Sequence, residues 1–178
     1  AWSLLCLSLA HQYQHRYPEA EAAVRDAYAI RVRLHCHDHP YTAIDLKNLG
    51  LVLLRQSKLE EAEKCARESL EISKRMDGRE TFFQAETHSI LGEILMKQGK
   101  LDEAETHCRR ALTIVKQQMG EDYLDLPRFL VALAGVLTQQ GNLAEARQCA
   151  EQAVDICRRH AEEVGRSQYD KATATLEV

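Results

Sequence analysis

Residues 91–114 read LGEILMKQGKLDEAETHCRRALTI, and this stretch holds the pattern that decides the fold. It places Leu91 thirteen residues before Ala104, with Ala111 seven residues and Ile114 ten residues after that alanine. The same places recur along the chain at a spacing of 42 residues. A period of this length indicates a stack of similar units, none of which can bury its apolar face alone.

The recurring positions give every other residue a register. The alanine ladder consists of Ala20, Ala62, Ala104 and Ala146. A leucine precedes each alanine, at Leu7, Leu49, Leu91 and Leu133, and an isoleucine follows it, at Ile30, Ile72, Ile114 and Ile156. We therefore predict one domain over 1–178, as a segment of a longer protein, with units at about 1–42, 43–84, 85–126 and 127–168. Residues 169–178 are predicted to form a capping helix or the first helix of a truncated fifth unit.

Each unit is predicted to contain two helices joined by a short turn. In the second unit, leucines recur at helical spacing up to Leu54, the pattern breaks at 56–58, and it resumes at Leu59. Ser57 and Glu60 have the spacing of a capping box, which predicts that Ser57 begins the second helix.

The other turns hold residues that suit a helix boundary. Gly99 and Gly141 tolerate a positive φ at the end of a helix, and Pro18 fits the first turn of one. All four units are therefore predicted to turn at the same place.

Small residues predict where the two helices of a unit meet. Ser8, Gly50, Gly92 and Ala134 share one place in the first helix, and the alanine ladder faces them from the second. Small side chains let two helix backbones approach closely.

Composition narrows the class of protein. The chain has 178 residues and a formal net charge of -4, and no basic run suggests nucleic acid or an anionic membrane as a partner. Six cysteines form no CxxC pair and are interpreted as reduced thiols, which predicts a cytoplasmic protein. No apolar stretch reaches the roughly 18 residues of a membrane span. The almost wholly apolar segment 2–10 is predicted to be a helix that upstream repeats, another domain or a second copy covers.

These residues resemble the tetratricopeptide repeat. The likeness rests on the small residues at the eighth, twentieth and twenty-seventh places, on Gly99 and Gly141 at the fifteenth, and on Tyr17 at the seventeenth. The 42-residue period resembles the kinesin-light-chain subtype, whose Gly-x-Asp-His-Pro linker is matched by residues 36–40. The resemblance implies an all-α fold, a right-handed α-solenoid of antiparallel helix pairs. It also implies a scaffold or adaptor that binds a protein or peptide.

In this family the first helix of each unit lines a concave groove, and the equivalent places here are candidate contacts. The candidates are Trp2, Leu9, Tyr13, Lys47, Asn48, Leu51, Arg55, Glu93, Lys97, Arg128 and Gln139. Equivalent places in the third and fourth units also hold Glu86, Ser89, Met96, Val131, Gly135 and Thr138. The basic members predict an acidic or carboxylate-bearing peptide, although a solvated charged face is the alternative interpretation.

The residues that two branches of the family use to recognise their partners are mostly not matched here. The ninth place of the groove helix, an asparagine in chaperone-binding members, holds Leu9, Leu51, Glu93 and Gly135 here, which argues against a chaperone carboxylate clamp. Kinesin light chains place paired asparagines in each groove helix, and only Asn48 matches. Cargo recognition of that type is therefore not predicted.

The sequence was also searched for metal-binding and catalytic motifs. His35, Cys36, His37, Asp38 and His39 are potential metal ligands, but their spacing matches no standard zinc site and part of the run matches the linker. We predict no metal, no cofactor and no catalysis, since nucleophile, zinc-protease and phosphate-loop motifs are absent. Glu103 and His107 are predicted to face solvent. The alternative function is a regulatory or sensor array of a larger enzyme or signalling ATPase.

Overall fold

The computed structural model describes residues 2–35, 39–77 and 81–176, without the side chains of 2, 3, 5, 13, 35, 76, 77 and 163–176. Within this part the chain forms eight α-helices and no strand. The helices are α1 Trp2–Tyr13, α2 Tyr17–His35, α3 Pro40–Arg55, α4 Leu59–Asp77, α5 Phe82–Lys97, α6 Leu101–Met119, α7 Leu126–Gln139 and α8 Leu143–Leu176.

The helices pack as four consecutive pairs. α1 packs on α2, α3 on α4, α5 on α6 and α7 on α8, and each pair also contacts the next. The first helices α3, α5 and α7 additionally contact one another in order. This arrangement is the all-α solenoid that the period predicts. None of the helices in the described ranges combines the length and apolarity needed to cross a bilayer.

One residue of each turn has a left-handed backbone. The φ angles are 56° at His15, 60° at Ser57, 78° at Gly99 and 84° at Gly141, and these positions are 42 residues apart. The prediction that all four units turn at one place is confirmed. The capping box is wrong, because Ser57 lies in this left-handed turn and α4 begins two residues later, at Leu59.

The helices of a pair approach closely at the small residues. A Cβ atom on Gly92 would lie 3.3 Å from the Ala104 carbonyl oxygen and 2.5 Å from the Cys108 Sγ atom. A Cβ atom on Gly50 would lie 3.3 Å from the carbonyl oxygen of Ala62. Because a side chain at these places meets backbone, the predicted contact between the small residues and the alanine ladder is confirmed in the second and third units.

The ladder residues form the core. All four ladder alanines are buried, as are the leucines and isoleucines of the second to fourth units. In the first unit, however, Leu7 is 47% and Ile30 is 38% exposed. The interpretation that a further element covers α1 stays a prediction. Cys65, Cys108 and Cys149 are buried free thiols, where a helix accommodates a small apolar residue.

A buried ion pair joins the first unit to the second. The Arg31 Nε atom of α2 lies 2.7 Å from the Asp45 Oδ2 atom of α3, and both side chains are almost fully buried. Burial raises the pKa of the Asp45 carboxyl to about 6, although the Arg31 charge opposes this shift.

The C-terminal segment is part of the last helix, and its role as a cap or a truncated unit stays a prediction. α8 runs without a break from Leu143 to Leu176, so the backbone of 169–176 continues this helix and does not form a separate one. The reason lies in the intervening sequence, which contains no proline and a single glycine, Gly165, that a helix tolerates at a cost of about 1 kcal/mol.

Candidate partner-binding groove

The first helices of the solenoid line a concave cavity of about 800 Å³, which we call the groove. It is open to solvent and spans α3, α5 and α7, with one contribution from α1. Its lining residues are Leu9, Lys47, Asn48, Leu51, Arg55, Glu86, Ser89, Ile90, Glu93, Met96, Arg128, Phe129, Val131, Ala132 and Gly135. Volumes in this range are typical of ligand sites.

Apolar side chains form much of the groove surface. Leu51, Ile90 and Met96 are half-buried against the core and still line the cavity. Leu9 and Val131 lie toward its two ends and are exposed by 44% and 58%. Exposed apolar area of this kind is what a binding partner can remove from water.

A charged cluster in the groove connects the three units. The Glu86 carboxylate of α5 accepts hydrogen bonds at 2.8 Å from the Lys47 ammonium of α3 and at 2.8 Å from the Arg128 guanidinium of α7. Burial raises the pKa of Glu86, but the charges of Lys47 and Arg128 and their hydrogen bonds outweigh it, and the pKa is lowered. The cluster is therefore ionised at neutral pH and links successive first helices.

A second, more exposed ion pair lies further along the groove. The Arg55 guanidinium of α3 donates to the Glu93 carboxylate of α5 at 2.9 Å, and the Arg55 side chain is 44% exposed. Three cations and two carboxylates therefore line the groove, for a net charge of +1.

Aromatic rings hold the guanidinium of Arg128 in place. Its central carbon lies 4.6 Å from the ring centroid of Phe129 and 5.7 Å from that of Phe82. Phe82 in turn meets Tyr123 edge to face, with centroids 5.7 Å apart. Because a cation over an aromatic face is restrained without losing its N–H donors, Arg128 stays available to a ligand.

The structure places most of the candidate contacts in the groove. Leu9, Lys47, Asn48, Leu51, Arg55, Glu93 and Arg128 line it. Lys97 and Gln139 are exposed but do not line it, although Arg55, at the same place in the second unit, does. The side chains of Trp2 and Tyr13 lie outside the described residues.

Sequence reasoning missed two kinds of groove feature. Ile90 and Ala132 line the groove at the same place in the repeat as Asn48, and that place was considered only for its asparagine. Sequence reasoning also did not predict that Glu86 and Glu93 form ion pairs with the groove cations. The 42-residue register could have identified Ile90 and Ala132, whereas the pairing depends on how neighbouring first helices are spaced.

The prediction that His107 faces solvent is wrong. His107 of α6 is half-buried, and its Nδ1 atom lies 2.8 Å from the Nδ1 atom of His88 in α5. Burial lowers the pKa of His88 to about 4, and the nearby His107, Lys74 and Arg110 add to this shift. Glu103 is 55% exposed, as predicted, and pairs with Arg67.

The candidate metal ligands lie mostly outside the part of the chain that the structure describes. His39 is described, and it caps α3 by accepting a hydrogen bond from the Tyr41 backbone N–H at 3.2 Å. Among the described residues, no group of three or more His, Cys, Asp or Glu side chains could hold a metal ion.

Stacked helix pairs with a groove along their first helices define a helical-repeat protein. A sequence model of the tetratricopeptide repeat matches residues 1–75 and 83–159. The chain belongs to the tetratricopeptide repeat family. No curated protein matches it.

Solved structures share the fold. BtubC (BKLC) from P. vanneervenii superposes with a TM-score of 0.76 at 24% identity, over 90% of this chain and 63% of that one. A Podosopora anserina protein described as a kinesin light chain, with nearly identical TPR-like repeats, has a TM-score of 0.66 at 18% identity, over 89% and 75%. MamA gives 0.61 at 14% identity, over 89% and 79%. The chain thus spans less than two thirds of BtubC.

Proposed function

We propose that this chain is a non-enzymatic adaptor segment of a cytoplasmic protein, and that it binds a peptide segment of a partner protein in the groove. The observation that carries the proposal is the groove itself, in which exposed apolar side chains alternate with charged groups across three units. Membership of a family whose repeats generally mediate protein–protein contacts supports it.

The peptide is expected to combine apolar side chains with at least one carboxylate. Leu9, Leu51 and Val131 offer apolar contact area. Arg55 and Arg128 are 44% and 48% exposed, and a guanidinium has five N–H donors, more than one glutamate can occupy. A ligand carboxylate can therefore bind these arginines while their pairs with Glu93 and Glu86 remain.

Selection of peptides from a random display library against the 178-residue chain tests the proposal. We expect the selected peptides to share apolar residues and an Asp or Glu, and to protect amides of α3, α5 and α7 from hydrogen exchange. Peptides that protect only α4 and α6, or a selection that yields no binder, would argue against groove binding.

A further inference from the structure

Arginine and glutamate side chains form an ion-pair ladder along the second helices, on residues that do not line the groove. Between the first two units, the Arg25 guanidinium lies 2.8 Å from Glu21 in its own helix and 2.5 Å from Glu61 in the next unit. The same trio recurs twice at the 42-residue spacing, as Glu63, Arg67 and Glu103 and as Glu105, Arg109 and Glu145.

The second and third units also each send a lysine back to the glutamate of the preceding unit. Lys58 lies 2.7 Å from Glu21, and Lys100 lies 2.9 Å from Glu63. Burial raises the pKa of Glu21, but hydrogen bonds from Lys58, Arg25 and Gln56 outweigh it, and the pKa falls to about 2. The ladder therefore joins successive units by a fixed order of charges, glutamate first and arginine one helical turn later.

The fourth unit reverses this order. The place of Glu21, Glu63 and Glu105 is taken by Arg147, and the place of Arg25, Arg67 and Arg109 is taken by Glu151. Arg147 and Glu151 lie 2.7 Å apart, and their side chains are 81% and 60% exposed. A following unit with the same ladder would place a glutamate against Glu151 and a lysine against Arg147.

These two residues border an exposed apolar surface, which we call the end face. Its members are Pro127 and Val131 of α7 and Arg147, Ala150, Glu151, Ala153, Val154, Asp155, Cys157 and Arg158 of α8. Asp155 and Arg158 form a further exposed ion pair on this face. Val131 and Val154 are both more than half exposed, and a shallow concavity of about 530 Å³ lies between the two helices. The second helices of the first three units span 19 residues, whereas α8 continues for 34, and no other described helix turns back over this face.

A second copy of the chain is the simplest candidate to stack on the end face. The charged residues of its first unit, however, would repel those of the end face. Arg16 of the first unit occupies the place that Lys58 and Lys100 occupy in the second and third units. Glu19 occupies the place of Glu61, Glu103 and Glu145. Head-to-tail stacking would therefore oppose Arg16 to Arg147 and Glu19 to Glu151. Like charges across an interface suppress a wrong partner.

We propose that the end face binds a helical partner protein with the reversed charge order, an acidic residue opposite Arg147 and a basic residue one turn away opposite Glu151. The reversal disfavours stacking of a second copy in the register of the units. Apolar contact with Val131 and Val154 supplies the buried area, and Arg147 and Glu151, the pair in which the ladder order is reversed, contribute to selecting the partner.

A charge swap within the chain supplies a partner of the required chemistry. The first variant, Arg16→Glu/Glu19→Arg, presents the reversed order to the end face of another copy. The second, Arg147→Glu/Glu151→Arg, restores the ladder order on the end face, and the third combines all four changes. Sedimentation velocity over a range of concentrations measures self-association, and circular dichroism checks that each exposed substitution preserves the fold.

Each two-residue variant is expected to raise the self-association constant roughly tenfold or more over the wild type, and high salt should remove the gain. The four-residue variant should return to the wild-type value, because its charges again oppose one another. Adding Val154→Glu to the first variant should abolish the gain. Equal association of all four proteins, or a gain that survives Val154→Glu, would overturn the proposal.

Discussion

Gly92 of α5 packs directly against Ala104 of α6, so that a Cβ atom on the glycine would lie 3.3 Å from the alanine carbonyl oxygen. The contact recurs between Gly50 and Ala62, one unit earlier. Because the backbones themselves are in contact, neither residue has room for a larger side chain. The spacing of the helix pairs in the second and third units depends on this contact.

Ala104→Leu is therefore expected to overpack the third unit. Ala104 is fully buried, and inserting a larger side chain into a packed site costs about 1–3 kcal/mol of unfolding free energy. Urea unfolding followed by circular dichroism measures the loss. The matched control is Ala29→Leu, an exposed mid-helix alanine of α2, which should change stability little. Equal effects of the two substitutions would refute the packing argument.

The groove cluster should be more important to stability than the exposed groove pair. Glu86→Gln leaves the Lys47 ammonium, which is 15% exposed, without its carboxylate, and we expect a loss of about 1–2 kcal/mol. Glu93→Gln removes the partner of the more exposed Arg55 and should cost less than about 1 kcal/mol. Thermal unfolding of the two variants side by side gives the comparison, and a larger loss for Glu93→Gln would reverse our ranking.

The histidine pair should contribute a loss of stability in mild acid. The pKa of His88 is lowered from 6.5 to about 4, so the stability that its neutral form provides is complete above pH 6.5 and is lost as the pH falls through 4. Between pH 7.5 and 4.5 we expect a loss on the order of 2 kcal/mol from this group. Protonation of Asp45, whose pKa is raised to about 6, acts in the opposite direction over this range. The His88 contribution is therefore measured by urea unfolding at both pH values, as the difference between the wild type and a variant without the pair.

The equivalent positions in other units show which residues can replace His88 and His107. Leu46 and Leu130 are buried at the place of His88, and Cys65 and Cys149 at the place of His107. His88→Leu/His107→Cys should therefore keep the fold, since both hydrogen-bonding partners are replaced together, and should remove the loss of stability in acid that His88 contributes. The exposed control His15→Asn should retain it. The same change in stability between pH 7.5 and 4.5 in the wild type and in the double variant would contradict the His88 contribution.

The fold could be predicted from the sequence because the 42-residue register repeats the same physical constraint four times. Local signals were less reliable where two interpretations fit one pattern. Ser57 and Glu60 have capping-box spacing, yet Ser57 shares its place with Gly99 and Gly141, and the left-handed turn that these glycines indicate is the structure found. The register was therefore the better guide.

The groove could be predicted only in part, for a related reason. The family resemblance located its helices and most of its lining residues. It could not show that Lys47 and Arg128 share Glu86, because these two residues lie 39 and 42 positions from Glu86 and meet it only when three first helices pack side by side. The prediction that His107 faces solvent was wrong for the same reason, because its contact with His88 depends on how two helices pack. The sequence did hold one signal that His88 is buried, since it shares its place in the repeat with Leu46 and Leu130.

The central claim is that a peptide binds in the groove, and matched arginine substitutions test it most directly. Arg55→Gln/Arg128→Gln removes two exposed groove cations, each paired with a glutamate. Arg67→Gln/Arg109→Gln makes the same change at two ladder arginines of similar exposure on α4 and α6. The measurement is the calorimetric dissociation constant of a library-selected peptide for each variant.

We predict that the groove variant weakens binding about tenfold or more, since charge-assisted hydrogen bonds contribute about 1.5–3 kcal/mol each, while the ladder variant binds as the wild type does. Unchanged affinity in the groove variant, or a loss confined to the ladder variant, would contradict the account.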